Sequence, residues 1–200
     1  MVQVRGGQDT TIIALVPIAV DEEDKKNIFS PLTSHLASIF DASITIIVAD
    51  QSQLESSSRM SFNKQRNQLN SDKLLRWLVT TTIMNNTKSH DPQNAIILGI
   101  CNYDAYSSGL NFVFGQASLS GGVAAIYLPR LRQEFYGLSA DTSIFIERVV
   151  KEATHEVGHT FGLDHCLKRS CVMHFSNSLV DTDYKAEDFC NICKNKLHQK

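Results

Sequence analysis

At 200 residues, 42% of them hydrophobic and 20% charged, the chain is long enough to bury about 70% of its unfolded surface. A net charge of −2 gives no electrostatic case for nucleic acid or an anionic membrane as partner. No apolar run approaches the roughly 18 residues that span a bilayer, and the N-terminus shows no signal-peptide core with a cleavage site, so a cytoplasmic protein is expected.

Residues 10–16 are a run of β-branched and aliphatic side chains, which suits a strand buried on both faces. Residues 22–40 have helical spacing, with Ile28, Leu32, Leu36 and Ile39 on one side and Pro31 near the start of the stronger part. Residues 42–49 read as a second strand. Strand, helix and strand in close succession predict a crossover unit and an at least partly parallel sheet. Residues 51–67, rich in Ser, Gln and Asn, read as a surface loop to which no role is assigned. Asn70 or Ser71 is placed to cap a helix over 72–84 that buries Leu74, Leu75, Leu78 and Trp77.

Residues 95–101 predict a third buried strand, in which Cys101 reads as a small hydrophobe rather than a nucleophile. Residues 102–109 turn the chain. Tyr103, Asp104 and Tyr106 are polar enough to line a pocket there, and a plain turn explains them equally well. Residues 110–117, with alternating aromatics, and 123–128, closed by Pro129, complete the strands. Asp141 or Thr142 caps the next helix, whose apolar stripe is Val149, Val150, Ala153 and Val157. Asp181 or Asp183 is placed to cap a last helix reaching residue 196.

Residues 155–165 read His-Glu-Val-Gly-His-Thr-Phe-Gly-Leu-Asp-His. Two histidines four apart on a helix share a face, about 6 Å apart along the axis, and can close on one small cation. Glu156, about 100° round the axis from His155, can flank the metal without ligating it. Gly162 can take the positive φ that ends a helix and brings His165 back as a third nitrogen. Three imidazoles without a thiolate suit zinc, with a fourth position left for water. Glu156 would then take a proton from the water and pass it to the leaving amine. The spacing is that of the metzincin motif. A satisfied histidine pair on a core-facing helix is the bland alternative, and the glutamate, glycine and third histidine at the required offsets weigh against it.

Cys166, Cys171, Cys190 and Cys193 follow at once, in Cys-x4-Cys and Cys-x2-Cys pairs. An odd total of five with these spacings favours metal thiolates in a reducing compartment over disulfides. His174 and His198 could compete as ligands, although four cysteines already fill a tetrahedron.

A zinc-binding helix running into Cys-x4-Cys-x-Met and then Cys-x2-Cys resembles the archaemetzincin family of metzincin-clan metallopeptidases. The Asn-Phe-Val-Phe-Gly segment at 111–115 is similar to that family too. The resemblance implies two zinc ions. His155, His159 and His165 would hold the catalytic one, with Glu156 as general base. Cys166, Cys171, Cys190 and Cys193 would hold a structural one, and Met173 would be the methionine of the turn beneath the catalytic ion. It also implies an edge strand above the cleft that pairs with the substrate backbone. Pro129 suits an edge, which makes residues 122–128 the candidate, with a place inside the sheet as the alternative.

The expected fold is α/β of zincin type, a mixed, mostly parallel sheet with flanking helices over an active-site helix. Residues 1–165 would form the catalytic domain, and residues 166–200 a small zinc-bound subdomain carrying the Met-turn. The expected function is zinc-dependent hydrolysis of peptide bonds in peptides or proteins. A metal-dependent peptide-binding module with little turnover, and a zinc amidase on a small molecule, are the rival readings. Nothing in the sequence sets the oligomeric state.

Overall fold

The computed structural model describes residues 11–47, 61–85, 95–118, 122–197 and 199. Its strands are β1 (Ile12–Ile18), β2 (Ser43–Ile46), β3 (Phe62–Asn63), β4 (Gln68–Asn70), β5 (Ala95–Cys101), β6 (Ala105–Tyr106), β7 (Gly115–Ser118) and β8 (Val123–Tyr127). Its helices are α1 (Glu22–Phe40), α2 (Ser71–Asn85), α3 (Thr142–Thr160), α4 (Leu179–Tyr184) and α5 (Asn191–Leu197). Residues 48–60, most of the long polar loop, lie outside the described residues; the part after them forms the β3–β4 hairpin.

The main sheet has the order β2-β1-β5-β8-β7, parallel throughout except for β7, which runs antiparallel to β8. Alternate residues of each central strand enter different cores. Ile13, Leu15, Ile96, Leu98, Ile100, Ala124 and Ile126 pack with Leu32 and Leu36 of α1 and Val149, Ala153 and Val157 of α3. Val16, Ile18, Ile97, Cys101, Val123, Ala125 and Tyr127 pack with Leu74, Leu75 and Leu78 of α2. Helices on both faces leave no polar side for these strands, hence their unbroken apolar sequence. Pro17 is accommodated inside β1. The Leu15 carbonyl accepts from Ile47 and the Ile18 carbonyl from Asn102, so alternation turns Pro17 toward β2, beyond the last residue pair of that ladder.

Three expectations are corrected. Residues 122–128 are not an edge: β8 lies between β5 and β7 with all five residues buried. Pro129 stands just past the strand and opens a 3-10 turn, so its missing N–H removes no ladder bond. The edge on this side of the sheet is β7, which keeps only the end of the expected strand 110–117. Before it, the Leu110 amide bonds the Ser107 carbonyl, the Val113 amide bonds the Ala105 carbonyl, and the Phe112 ring packs 4.4 Å beneath the Arg130 guanidinium. The single last helix is also two short ones. Asp181, expected to start a helix, instead accepts from the Asn177 and Ser178 amides at 3.1 Å, so α4 begins earlier and ends at Tyr184.

The C-terminal segment docks through buried contacts. Cys171, Val172, Met173, Phe189 and Cys193 belong to the same core as α1 and α3, and Phe40 stacks on Phe161 at 5.0 Å while meeting Phe189 edge-on at 5.6 Å. Arg148 of α3, its side chain 5% exposed, donates to both Asp183 carboxylate oxygens at 2.6 and 2.7 Å and to the Leu131 carbonyl at 3.0 Å. Asp183→Ala would leave most of that guanidinium unpaired. The expected cost is about 2 kcal/mol, a fall in Tm of roughly 4–8 °C by differential scanning fluorimetry. An unchanged Tm would mean that water replaces the carboxylate.

Candidate metal centre and cleft

The Asp141 carboxylate caps α3 by accepting from the Ile144 amide at 3.0 Å, and residues 148–158 of the helix are all buried. Its last turns are therefore held on every side, which fixes the side chains they carry. His155 and His159 project together: their Nε2 atoms are 3.0 Å apart. Nδ1 of His155 lies 2.8 Å from the Val172 carbonyl, and Nδ1 of His159 lies 2.7 Å from the Leu163 carbonyl. A carbonyl can only accept, so both Nδ1 atoms carry the proton and both Nε2 lone pairs are free for a metal.

Gly162, with φ of 76°, ends the helix and turns the chain back. His165 then returns to the pair, its ring centroid 5.3 Å from that of His155 and 4.8 Å from that of His159. The three donor nitrogens all lie within 4.8 Å of one another. Around a tetrahedral ion with metal–nitrogen bonds near 2.05 Å they would be about 3.4 Å apart, so the set fits zinc with small side-chain adjustments. Burial, and then the Lys185 ammonium, hold His155 well below the ordinary histidine value, and burial depresses His159 and His165 as well. Neutral imidazoles at pH 7 are the form that binds metal.

The three histidines stand on the floor of a cleft of about 500 Å³. Residues 109–117, including edge strand β7, form one wall, and residues 175–177 form the other. Glu156 is buried against the first wall. A Cβ on Gly115 would fall 2.5 Å from its Cγ and 2.6 Å from its Oε1, so the carboxylate occupies the space a side chain would need. Burial raises the Glu156 pKa well above the ordinary glutamate value, the Glu152 charge adds to this, and Lys185 opposes it. Met173 is fully buried beneath the same turn: a Cβ on Gly158 would lie 2.6 Å from its Sδ.

Cys166, Cys171, Cys190 and Cys193 form a second cluster, their sulphurs all within 4.8 Å of one another. The Cys166–Cys190 and Cys171–Cys193 separations are 3.8 and 3.7 Å. Four sulphurs around zinc at 2.3 Å would stand about 3.8 Å apart, whereas a disulfide requires about 2.05 Å. The donor set fits a closed zinc site and not two disulfides. His174 is turned away, with Nδ1 2.8 Å from the Cys166 carbonyl, and His198 lies outside the described residues. Cys101 is remote and fully buried, and burial pushes its thiol up to about 12, in keeping with a packing role.

Tyr103 and Asp104 lie in the bend before β6 and Tyr106 in β6 itself, and none of them lines the cleft. Asp104 pairs with Arg130 at 2.6 and 2.9 Å, and the Tyr106 hydroxyl accepts from Asn63. Sequence reasoning missed three cleft residues, Gly115, Glu152 and Lys185, and also Gly158, which lies outside the cleft lining. Gly115 and Gly158 make room for Glu156 and Met173, and Glu152 and Lys185 close one end of the cavity. Among the described residues, no helix is long and apolar enough to cross a membrane.

The pattern of peptidase family M54 matches residues 15–199. An archaemetzincin of Saccharolobus solfataricus is 38% identical over 175 residues, 88% of each chain. One of Sulfolobus acidocaldarius is 47% identical over 137 residues, 68% of this chain and 72% of its own. The crystal structure of the Methanopyrus kandleri archaemetzincin superimposes with a TM-score of 0.74 at 31% identity, covering 95% of this chain and 94% of that one. Pattern, sequence and structure thus agree along almost the whole length, and the chain belongs to peptidase family M54, the archaemetzincins, as a zinc metallopeptidase.

Proposed function

We propose that His155, His159 and His165 hold a catalytic zinc ion, that Glu156 is the general base and later the general acid of peptide-bond hydrolysis, and that Cys166, Cys171, Cys190 and Cys193 hold a second, structural ion. A zinc ion so held would act as a Lewis acid on the substrate carbonyl and lower the pKa of a water toward about 7. The observation that carries the reading is the meeting of three imidazole nitrogens within 4.8 Å on an open cleft floor. Glu156 stands beside them, sheltered by Gly115, where it can take a proton and return it to the leaving amine. The Val172 and Leu163 carbonyls orient the two helix-borne rings. Met173 supports the turn from below.

β7 is the sheet edge that runs along the cleft wall, and an extended peptide would add to it as a further strand. Residues 1–165 act as the catalytic unit. Residues 166–200 act as a subdomain whose metal holds the Met173 turn in place. The free thiols suit a cytoplasmic, reducing setting.

Incubation of a broad peptide library with the zinc-loaded chain and with Glu156→Ala tests the reading. Cleavage by the unmodified chain alone is the expected outcome. Tight binding without cleavage would favour a binding module, and hydrolysis of small amides alone would favour an amidase. Gly115→Ala is a finer probe of the same base. The added methyl displaces the Glu156 carboxylate, and kcat/KM is expected to fall about 10- to 100-fold with the zinc content unchanged. A change within twofold would show that this contact does not position the base.

A further inference from the structure

Glu152 and Lys185 take no part in the hydrolysis described above, yet they line the same cleft as the histidines. Among the described residues, the buried side-chain polar atoms without a hydrogen-bond partner are Gln116 Oε1, Glu152 Oε2, Ser176 Oγ and Lys185 Nζ, and each belongs to a residue lining this one cleft. Folded chains satisfy nearly all such atoms, so their concentration at one place marks a surface shaped for something that arrives from outside. The deepest are Glu152 and Lys185, with side chains 6% and 0% exposed. Lys185 Nζ and Glu152 Oε2 are 3.8 Å apart, beyond hydrogen-bond reach.

We propose that Glu152 and Lys185 form the closed end of a substrate subsite for an uncharged carboxamide, the side chain of a glutamine beside the cleaved bond. The proposal rests on the peptidase reading. Glu152 lies one helical turn before Glu156, about 6 Å along α3. That is about the reach of one long side chain from the proposed base. Lys185 lines the same cleft as the three histidines.

The chemistry of the pair selects the occupant. Lys185 offers only donors, and Glu152, whose pKa burial raises while the adjacent Lys185 charge opposes this, offers acceptors in its ionised form. A primary carboxamide carries an acceptor and a donor side by side, taking one hydrogen bond from Nζ and giving one to Oε2. A glutamate side chain would satisfy Lys185 but bring a third carboxylate beside Glu152 and Glu156. A methionine of similar length would leave both atoms without a hydrogen bond. Serine and threonine hydroxyls donate and accept, but are too short to reach a full turn into the cleft.

Two series of short peptide hydroxamates, one extending to each side of the metal, test this by calorimetric binding to the zinc-loaded chain. Within each series only the residue next to the hydroxamate changes, as glutamine, glutamate or methionine. In one series glutamine is expected to bind roughly tenfold or more tighter than either isostere. Removing one member of the pair would strand the other as a buried charge, so the variant used is the double substitution Glu152→Leu and Lys185→Met, which removes both. In it the glutamine advantage is expected to vanish. Equal or tighter binding of glutamate or methionine by the unmodified chain in both series overturns the proposal, as does a glutamine advantage that survives the double substitution. Cleavage of the corresponding free peptides is read separately. A glutamine preference in binding without any cleavage would sink the peptidase reading and leave the subsite standing. Cleavage without preference would sink the subsite alone. No binding in either series would overturn both.

Discussion

Glu156→Gln is expected to lower kcat/KM about 100- to 10,000-fold while the chain keeps its fold and its metal. Glutamine fills the same space against Gly115 but cannot accept the proton that the reaction must move. The stability side of the substitution has the opposite sign. Burial and the neighbouring Glu152 charge raise the folded-state pKa of Glu156 above its ordinary 4.5, so the folded metal-free chain binds this proton more tightly than the unfolded one. A raised folded pKa stabilises the fold only at low pH, and the contribution is lost as pH climbs above 4.5. The metal-free variant is therefore expected to melt no lower than the parent at pH 7, with its relative Tm rising from pH 4.5 upward. Activity that falls with a preserved Tm identifies a chemical role for this carboxylate. Activity within tenfold of the parent would remove Glu156 as the base.

The three histidines and the glutamate lie within eleven residues at offsets fixed by helix geometry, so no long-range information was needed to bring them together. The cysteine pairs have equally short spacings. Strands β1 and β5 were legible because burial on both faces leaves an unbroken apolar run. The order of the sheet was not, because it depends on pairing between distant segments. All of β8 is buried, like nearly all of β5, and nothing within Val-Ala-Ala-Ile-Tyr says which neighbours it takes. The true edge, Gly-Gln-Ala-Ser, has no apolar alternation to announce it. Lys185 ends a polar Asp-Thr-Asp-Tyr-Lys stretch with no aliphatic residue in it to announce burial. Its burial follows from the docking of α4 on α3 through Asp183 and Arg148, 35 residues apart. Gly115 and Gly158 matter for the Cβ they lack, which shows only once Glu156 and Met173 stand opposite them.

Cys190→Ser is expected to act on the fold first and on activity through it, the reverse of Glu156→Gln. The four sulphurs, with separations of 3.7 and 3.8 Å across the two pairs, gather the 166–173 loop and the start of α5 around one point. Core contacts and backbone bonds such as the Val172 amide to the Asp188 carbonyl at 3.1 Å also hold this segment, but without an ion the four thiols themselves would be joined only by weak thiol contacts and the Cys190 amide on Cys171 Sγ. Structural zinc sites bind with apparent free energies of about 10–16 kcal/mol at pH 7, and losing even a third of that corresponds to a fall in Tm of roughly 10–20 °C. The same loop carries the Val172 carbonyl that orients His155, and Met173 beneath Gly158, so its release loosens the catalytic floor. Metal analysis of the purified variant should thus give one zinc per chain or fewer where the parent gives two, with the drop in Tm and the loss of turnover appearing together. A variant that melts with the parent would show that the thiol cluster carries no structural ion. One that melts lower but retains full turnover would show that the loop's grip on His155 survives without it.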